Sequence, residues 1–327
     1  MPHSPQIGRR EPCDEPATTA AAAGAARSVD PADRRIGLVA GWGRYPIVIA
    51  EALSRAGYEV HCLGLREHAD EAALRPWCRS FHWIGVARIG GALRVCRRLG
   101  VRRVTMAGKV HKTKLYRPWV WLHYVPDWRT LRMFFRSFVL TQGDRRDDTI
   151  LGTIAAEAQK DGIRLAPATD FAPELLVKKE CLTRRAPSAL EYKDVEFGWK
   201  LAKEMGRLDI GQSVAVKGRN ALAVEAIEGT DACIRRAGEL CRSGGFTVVK
   251  VAKPRQDMRF DVPTIGLGTL EGMVAAGARC LAVEADKTIL LDRREFLRFA
   301  DRHGLAIVAL DAGEQARDDA ATETRAA

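Results

Sequence analysis

Short apolar runs alternate with amphipathic stretches along most of the chain. Residues 35–40 form an apolar run that predicts a strand, and Pro46 opens a helix predicted to reach about residue 56. The same alternation predicts further strands at 58–65, 81–86, 101–107 and 163–168, and helices at 89–99 and 148–160. Strands that alternate with helices indicate a parallel sheet covered on both faces, so the first half is predicted to be a Rossmann-like α/β domain.

A second series of elements follows a long amphipathic helix at residues 190–206, whose apolar side carries Val195, Trp199, Ala202 and Met205. Strands are predicted at 213–216, 221–226, 247–252, 280–284, 288–291 and 305–310, and helices at 230–240, capped by Thr230, at 268–277 and at 293–303. The fold class is therefore α/β with two α/β domains. We expect a disordered extension at 1–33, an N-terminal domain at 34–170, a C-terminal domain at 171–312 and a polar tail at 313–327.

Composition narrows the class of protein. The 327 residues are 46% hydrophobic and carry 52 Lys and Arg against 41 Asp and Glu, a net charge of +11. The apolar content excludes a chain that is disordered throughout, and the basic excess favours anionic partners. No uncharged apolar run reaches the roughly 18 residues of a membrane-spanning helix. We expect a cytoplasmic protein whose eight cysteines are mainly buried free thiols, because no CxxC pair occurs.

The basic excess is concentrated between residues 109 and 136, where seven Lys and Arg accompany one acid, Asp127. Aromatic residues lie among them at Trp119, Trp121, Tyr124 and Trp128. Basic residues with Trp and Phe indicate an element at a membrane surface, and the alternative is a core helix beside an aromatic loop. The core position is favoured for three phenylalanines of the predicted helix, Phe134, Phe135 and Phe138. Both positions stay open for the tryptophans at 119 and 121. No pattern typical of a nucleic-acid-binding domain accompanies these residues, so no nucleic acid partner is predicted.

Gly41, Trp42 and Gly43 lie between a predicted strand and a predicted helix, as in turns that bind phosphate. Glycines let a backbone approach a phosphate, and a helix N-terminus adds partial positive charge. A plain tight turn explains the same residues. Pro46 occupies the position of the third glycine of a dinucleotide fingerprint, so a standard NAD site is excluded. Lys109 follows another predicted strand and could place its ammonium beside a phosphate or in solvent.

Acidic residues cluster at two predicted turns. Asp147 and Asp148 precede an apolar helix, where they could cap its N-terminus or supply paired carboxylates to a metal. Glu225, Glu228 and Asp231 surround the turn before the helix at 230–240. Three acids at one turn could hold Mg²⁺, although an acid in the first turn of a helix is also expected for structural reasons.

The densest group of charged residues follows the strand predicted at 247–252. This loop combines two acids, three bases and two prolines, and its polar residues include Lys253, Arg255, Gln256, Asp257, Arg259, Asp261 and Thr264. Ligands of α/β sheets collect beyond the carboxyl ends of strands, and prolines restrain the backbone there. Cations can hold a diphosphate, and a carboxylate can carry Mg²⁺ or activate water. No Ser/His/Asp order, Walker loop or HExxH motif offers a competing mechanism.

Five segments, taken in order, resemble the LpxI family, the UDP-2,3-diacylglucosamine pyrophosphatases of lipid A biosynthesis. They are residues 41–46, 107–110, 206–212, 224–231 and 253–266. The resemblance covers about residues 34–310 and is strongest in the second half. It implies Mg²⁺-dependent hydrolysis of the UDP-2,3-diacylglucosamine diphosphate to UMP and 2,3-diacylglucosamine 1-phosphate (lipid X), with water attacking the α-phosphorus. It also implies a substrate cleft between the two domains, a catalytic C-terminal domain and an essential aspartate that corresponds to Asp261.

The motifs and the resemblance together define the expected site. The catalytic candidates are Asp261, Asp257 and Arg259. The substrate-binding candidates are Gly41, Gly43, Lys109, Asp148, Lys253, Gln256 and Thr264. The metal candidates are Asp261, Glu228 and Asp231. Expected partners are the UDP-linked acylated glucosamine and an anionic membrane surface, with peripheral attachment to the inner membrane and the possibility of a homodimer. The alternative is a nucleic-acid- or lipid-binding protein without catalysis.

Overall fold

A computed structural model describes residues 34–110, 125–140, 147–254 and 256–311, apart from the side chains of 136–140 and 147–149. The predicted extension at 1–33 and the tail at 313–327 lie outside the described residues, as do Trp119, Trp121, Tyr124 and Arg255. Among the helices that are described, none is long and apolar enough to cross a membrane.

The first sheet is entirely parallel and has the strand order β3-β2-β1-β4-β5. Its strands are β1 (Arg35–Ala40), β2 (Glu59–Leu65), β3 (Ser80–Ile84), β4 (Arg103–Ala107) and β5 (Arg164–Leu165). The helices of this region are α1 (Tyr45–Arg55), α2 (Glu71–Leu74), α3 (Ile89–Arg98), α4 (Trp128–Leu140) and α5 (Asp147–Gln159). The strand order reverses between β1 and β4, and ligands of doubly wound sheets bind at this switch point. The predicted Rossmann-like parallel sheet is confirmed.

Both faces of the first sheet are apolar and are covered by helices. On one face Ile36 and Leu38 of β1 pack with Leu53 of α1. On the other face Leu63 of β2 packs with Leu93 of α3. Burial on both faces is typical of parallel sheets and explains why the strands are nearly continuous apolar runs in the sequence.

The second sheet has the order β6-β13-β11-β9-β7-β8 and mixes parallel with antiparallel pairs. Its strands are β6 (Glu180–Cys181), β7 (Ser213–Lys217), β8 (Asn220–Val224), β9 (Phe246–Lys250), β11 (Ala278–Glu284) and β13 (Ala306–Leu310), while β10 (Thr264–Ile265) pairs with β12 (Ile289–Leu290). Its helices are α6 (Ala189–Arg207), α7 (Thr230–Leu240), α8 (Leu267–Ala276) and α9 (Arg293–Arg302). Strands β9, β11 and β13 are parallel, so their carboxyl ends share one edge of the sheet.

Helix α6 covers one face of the second sheet. It begins with a capping box, in which Ser188 Oγ accepts the backbone N–H of Glu191 and the Glu191 carboxylate accepts that of Ser188. The apolar side predicted from the sequence is confirmed, since four residues are buried against β7 and β9: Val195, Trp199, Ala202 and Met205. The other face of the sheet packs against α7, α8 and α9.

The rotation of α4 differs from the prediction. Thr130 and Met133 are buried, whereas Phe135 is 69% exposed, so the core position predicted for Phe135 is wrong. Asp127 Oδ1 accepts the N–H of Thr130 at 2.9 Å, and its Oδ2 accepts the N–H of Gly91 in α3 at 2.8 Å. These polar contacts between the two helix starts turn the Phe135 side of α4 outward. Phe134 is half-buried, as a core helix would place it, and the side chain of Phe138 lies outside the described residues.

The start of α7 also differs from the prediction. Its N-cap is Gly229, with a φ of 84°, and no side chain caps the helix. The Thr230 hydroxyl is instead 3.0 Å from Glu225 Oε1, to which it donates. The predicted capping role of Thr230 is therefore wrong, and its hydroxyl belongs to a polar cluster at the end of β9.

Candidate active site

The loops that follow β1 and β4 are bonded to each other at the switch point. The Trp42 N–H donates to the Lys109 carbonyl at 2.8 Å, and the Lys109 N–H donates to the Trp42 carbonyl at 2.9 Å. A Cβ at position 41 would lie 2.8 Å from the Lys109 carbonyl oxygen, so Gly41 is needed for this close approach. The joined loops place Gly41 beside Lys109 at the carboxyl edge of the first sheet.

This pairing limits the phosphate-binding role predicted for the turn at 41–43. The Gly41 N–H donates to the Ala107 carbonyl and the Trp42 N–H to Lys109, so neither amide is available to a phosphate. Gly43 has a φ of 108° and open space where a Cβ would lie. Gly41 therefore serves the packing of the two loops, and a phosphate contact at Gly43 stays a prediction.

The loop between β9 and β10 carries Asp261 and is held by internal hydrogen bonds. Gln256 Oε1 accepts the backbone N–H of Lys253 at 2.8 Å. The Gln256 side-chain amide donates to the Asp261 carbonyl at 2.7 Å and to the Asp261 carboxylate at 2.5 Å. In the structure the Gln256 amide orients the Asp261 carboxylate. The substrate contact predicted for Gln256 stays a prediction.

Asp257 and Arg259 form an ion pair within the same loop. Arg259 Nε and a terminal guanidinium nitrogen donate to the two Asp257 carboxylate oxygens at 2.9 and 2.6 Å. The Arg259 backbone N–H donates to the same carboxylate at 3.1 Å. The guanidinium holds the pKa of Asp257 below its ordinary value. This geometry gives the pair a part in shaping the loop, and the catalytic roles expected of both stay predictions.

A buried lysine that the sequence analysis did not select lies next to this loop. Lys250 is 7% exposed, and its ammonium donates to Thr230 Oγ1 at 3.2 Å and to the Thr264 carbonyl at 3.1 Å. Burial lowers the pKa of Lys250, and Lys109 acts in the same direction. Three carboxylates oppose that shift: Glu225, Asp231 and Asp261. The sequence signal for this residue is a lysine at the end of an otherwise apolar strand.

The predicted metal ligands are not assembled as a set of three. Glu228 forms an ion pair with Arg236 at 2.9 Å. Across the described ranges, no group of three His, Cys, Asp or Glu side chains could hold a metal ion. Mg²⁺ commonly takes only one or two carboxylates, with water and substrate phosphates completing its ligands. A smaller donor set drawn from Asp231 and Asp261 stays a prediction.

An apolar cavity of about 640 Å³ has Asp261 in its wall. Lys253 and Phe260 of the same loop also line it, as do Gly41 and Gly108 of the joined loops. The remaining wall is mostly aliphatic and comes from the first sheet and its helices: Val39, Leu63, Leu65, Ile84, Leu93, Val104, Ile150, Leu151, Ile154, Ala158, Ile163 and Leu165. One cavity therefore joins the switch point of the first sheet to the Asp261 loop beside the second.

An ion pair links the domain of the first sheet to that of the second, next to the loop that follows β1. Arg44, the N-cap of α1, donates through Nε and a terminal nitrogen to both carboxylate oxygens of Asp292, each at 3.0 Å. Asp292 is the N-cap of α9. The guanidinium is about half-exposed, so the free energy that this ion pair contributes is modest despite its two hydrogen bonds.

Two sequence models of one family together match most of the chain. The model of the LpxI N-terminal domain matches residues 35–175, and that of the LpxI C-terminal domain matches residues 178–308. The chain belongs to the LpxI family. A curated protein of Caulobacter vibrioides named UDP-2,3-diacylglucosamine pyrophosphatase LpxI is 30% identical over 292 residues, which is 86% of this chain and 99% of that protein.

The two LpxI domains contribute to the candidate site in different ways. The N-terminal domain supplies Gly41 and most of the apolar wall, and the C-terminal domain supplies Lys253 and Asp261 to the same cavity. The Thr264 carbonyl accepts a hydrogen bond from the Lys250 ammonium. The side chain of Asp148 lies outside the described residues, so its predicted substrate contact stays a prediction.

Proposed function

We propose that this chain hydrolyses the diphosphate of UDP-2,3-diacylglucosamine to UMP and lipid X, the substrate being the one in the name of its Caulobacter vibrioides relative. One observation carries the proposal. A carboxylate oriented by a side-chain amide, that of Asp261, lines an apolar cavity of about 640 Å³. A UDP-linked lipid requires both features, because its phosphates need a polar site and its acyl chains need an apolar one.

In this proposal the acyl chains occupy the cavity of the N-terminal domain. Its volume, about 640 Å³, falls in the range of roughly 300–1,000 Å³ common for small-molecule sites. Each methylene that leaves water for such a wall contributes about 0.8 kcal/mol. An apolar pocket adds nothing to the binding of a phosphate backbone, so the cavity favours the lipid substrate over a nucleic acid.

The proposed reaction is attack by water on the α-phosphorus, with Asp261 as the residue that orients or deprotonates the water. The Gln256 amide donates to its carboxylate and so sets its direction before substrate binds. A positioned general base typically accelerates a reaction by about 10²–10⁴-fold. Lys253, paired with Asp209 at 2.5 Å, brings a positive charge to the cavity wall, where it would attract the diphosphate.

We further propose that the reaction needs Mg²⁺. Asp261 and Asp231 would hold the ion together with oxygens of the substrate phosphates. When bound, Mg²⁺ supplies positive charge that offsets the negative charge developing on the phosphate oxygens. The protein's own part would be to present the Asp261 carboxylate, which the Gln256 amide orients, to the ion and the substrate.

Turnover in ¹⁸O-water tests the activity and the attacked phosphorus together. With UDP-2,3-diacylglucosamine and Mg²⁺, we expect the label in UMP and none in lipid X, measured by mass spectrometry. A parallel reaction with a chelator should release no UMP. Label found only in lipid X would mean attack on the other phosphorus. No UMP at any Mg²⁺ concentration, together with retained lipid binding, would favour a lipid-binding protein without catalysis.

We propose, finally, that the protein attaches peripherally to an anionic membrane surface, as expected for the inner membrane. Trp128, Leu131 and Phe135 of α4 are 77%, 49% and 69% exposed and lie within the basic and aromatic segment at residues 109–136. They lie three and four positions apart, so they share one side of the helix. Exposed aromatics next to basic residues are typical of elements that lie in a membrane interface.

Changing Lys112, Lys114 and Arg117 to Gln should weaken binding to anionic vesicles, by up to about 1 kcal/mol per residue at the surface. The effect should shrink at high salt, because the Debye length is about 10 Å at 0.1 M. Vesicle co-sedimentation at low salt measures it. The matched control changes three exposed arginines elsewhere to Gln: Arg66, Arg98 and Arg242. An equal loss in both triple variants would show that net charge, and no particular face, governs binding.

A further inference from the structure

Lys250 connects three elements around the Asp261 loop. The loop leaves β9 at Lys250 and ends at Thr264, the first residue of β10. The Lys250 ammonium donates to the Thr264 carbonyl at 3.1 Å and to the hydroxyl of Thr230, the first residue of α7, at 3.2 Å. One side chain therefore closes the loop at its base and links it to α7.

The other side of the loop is held by a lysine in a different setting. The Ala252 N–H donates a hydrogen bond to Glu284 Oε2 at 2.9 Å, and the Ala252 carbonyl accepts one from Lys203 Nζ at 2.9 Å. Lys203 also forms an ion pair with Glu284 at 2.6 Å, so its charge has a direct partner. The hydrogen-bond acceptors of Lys250 are neutral oxygens, and the charges that act on it are those of the candidate site: Glu225, Asp231, Asp261 and Lys109.

A buried ammonium held by neutral acceptors costs free energy, and an apolar residue of similar volume at such a position is often no less stable. Stability alone therefore does not explain a lysine at position 250. We infer that Lys250 is a positioning residue for Asp261: its ammonium holds the loop against α7, and its positive charge attracts the Asp261 carboxylate. This inference rests on the proposed function of Asp261.

Lys250→Met keeps the length of the side chain and removes its charge and its hydrogen bonds. We expect the kcat for UMP release to fall about 10²-fold, the loss that a misplacement of about 1 Å can cause. The KM should stay within about threefold, because the substrate contacts remain. Backbone amides of residues 256–264 should exchange hydrogen roughly tenfold faster, and those of β11 at the wild-type rate. A role limited to global stability would speed exchange in both regions.

Lys217→Met is the matched control. Lys217 ends β7 at the opposite edge of the same sheet and donates to the Gly244 carbonyl at 2.6 Å, so its loss should leave kcat unchanged. If Lys250→Met does not fold, Lys250→Gln keeps a donor without the charge and should show the same fall in kcat. Wild-type kcat, or unchanged exchange of the loop, in a folded variant at position 250 would overturn the inference. Absence of UMP release by the wild-type protein would instead overturn the proposed function, while the exchange measurement would still report whether Lys250 holds the loop.

Discussion

Replacement of Asp261 by alanine is expected to lower the kcat for UMP release by about 10²–10⁴-fold while the protein stays folded. The side chain is oriented by Gln256 and lines the cavity, and in the proposed mechanism it acts mainly in the transition state. Such a loss lowers kcat more than it raises KM. Asp261→Asn keeps the shape and removes the charge, and we expect it to fail almost as severely.

Asp257→Ala is the control for this prediction, because it removes a carboxylate from the same loop. Asp257 is paired with Arg259 over hydrogen bonds of 2.9 and 2.6 Å, and both side chains are partly exposed. If Asp257 only shapes the loop, its replacement by alanine should leave activity within about tenfold of the wild type. Steady-state kinetics and thermal melting of the purified variants distinguish the two aspartates. Wild-type kcat in a folded Asp261→Ala protein would contradict the mechanism proposed for Asp261.

Most helices and strands could be predicted from the sequence because the periodicity of their apolar residues is clear. Strand β1 was predicted with the bounds it has, Arg35–Ala40, and the predicted apolar side of α6 is the side that packs on its sheet. The rotation of α4 was not predictable, because the helical spacing of its apolar residues also suggests a face packed in the core. Asp127 determines that rotation by accepting bonds from both α3 and α4, and the sequence gives no sign of such a contact between helices.

The candidate site was predicted only in part, for a related reason. Polar residues crowded into one loop, such as Gln256 and Asp261, stand out in the sequence. Lys250 is isolated at the end of an apolar strand, and its contacts with Thr230 and Thr264 come from residues 20 and 14 positions away. The bond between the loops at Trp42 and Lys109 joins positions far apart in the chain. Contacts of this kind depend on strand order, which periodicity does not reveal.

The far end of the apolar cavity offers a test of where the acyl chains bind. Gly41 and Asp261 line the cavity at the carboxyl edge of the first sheet. Helix α5 runs back from that edge, so Ala158 near its end lies toward the amino ends of the strands, next to Ile163. Ala158 is fully buried and lines the cavity, so a larger side chain there would shorten the space available to an acyl chain.

Ala158→Leu is therefore expected to discriminate between substrates by acyl length. If the new side chain excludes about two methylenes, the loss is about 1.6 kcal/mol, or roughly tenfold in kcat/KM for long-chain UDP-2,3-diacylglucosamine. Short-chain analogues that do not reach Ala158 should be hydrolysed at nearly the wild-type rate. Ala156→Leu, on the exposed side of the same helix, is the matched control and should affect neither substrate. An equal loss for both chain lengths would indicate a damaged core, and no loss for either would place the acyl chains outside this cavity.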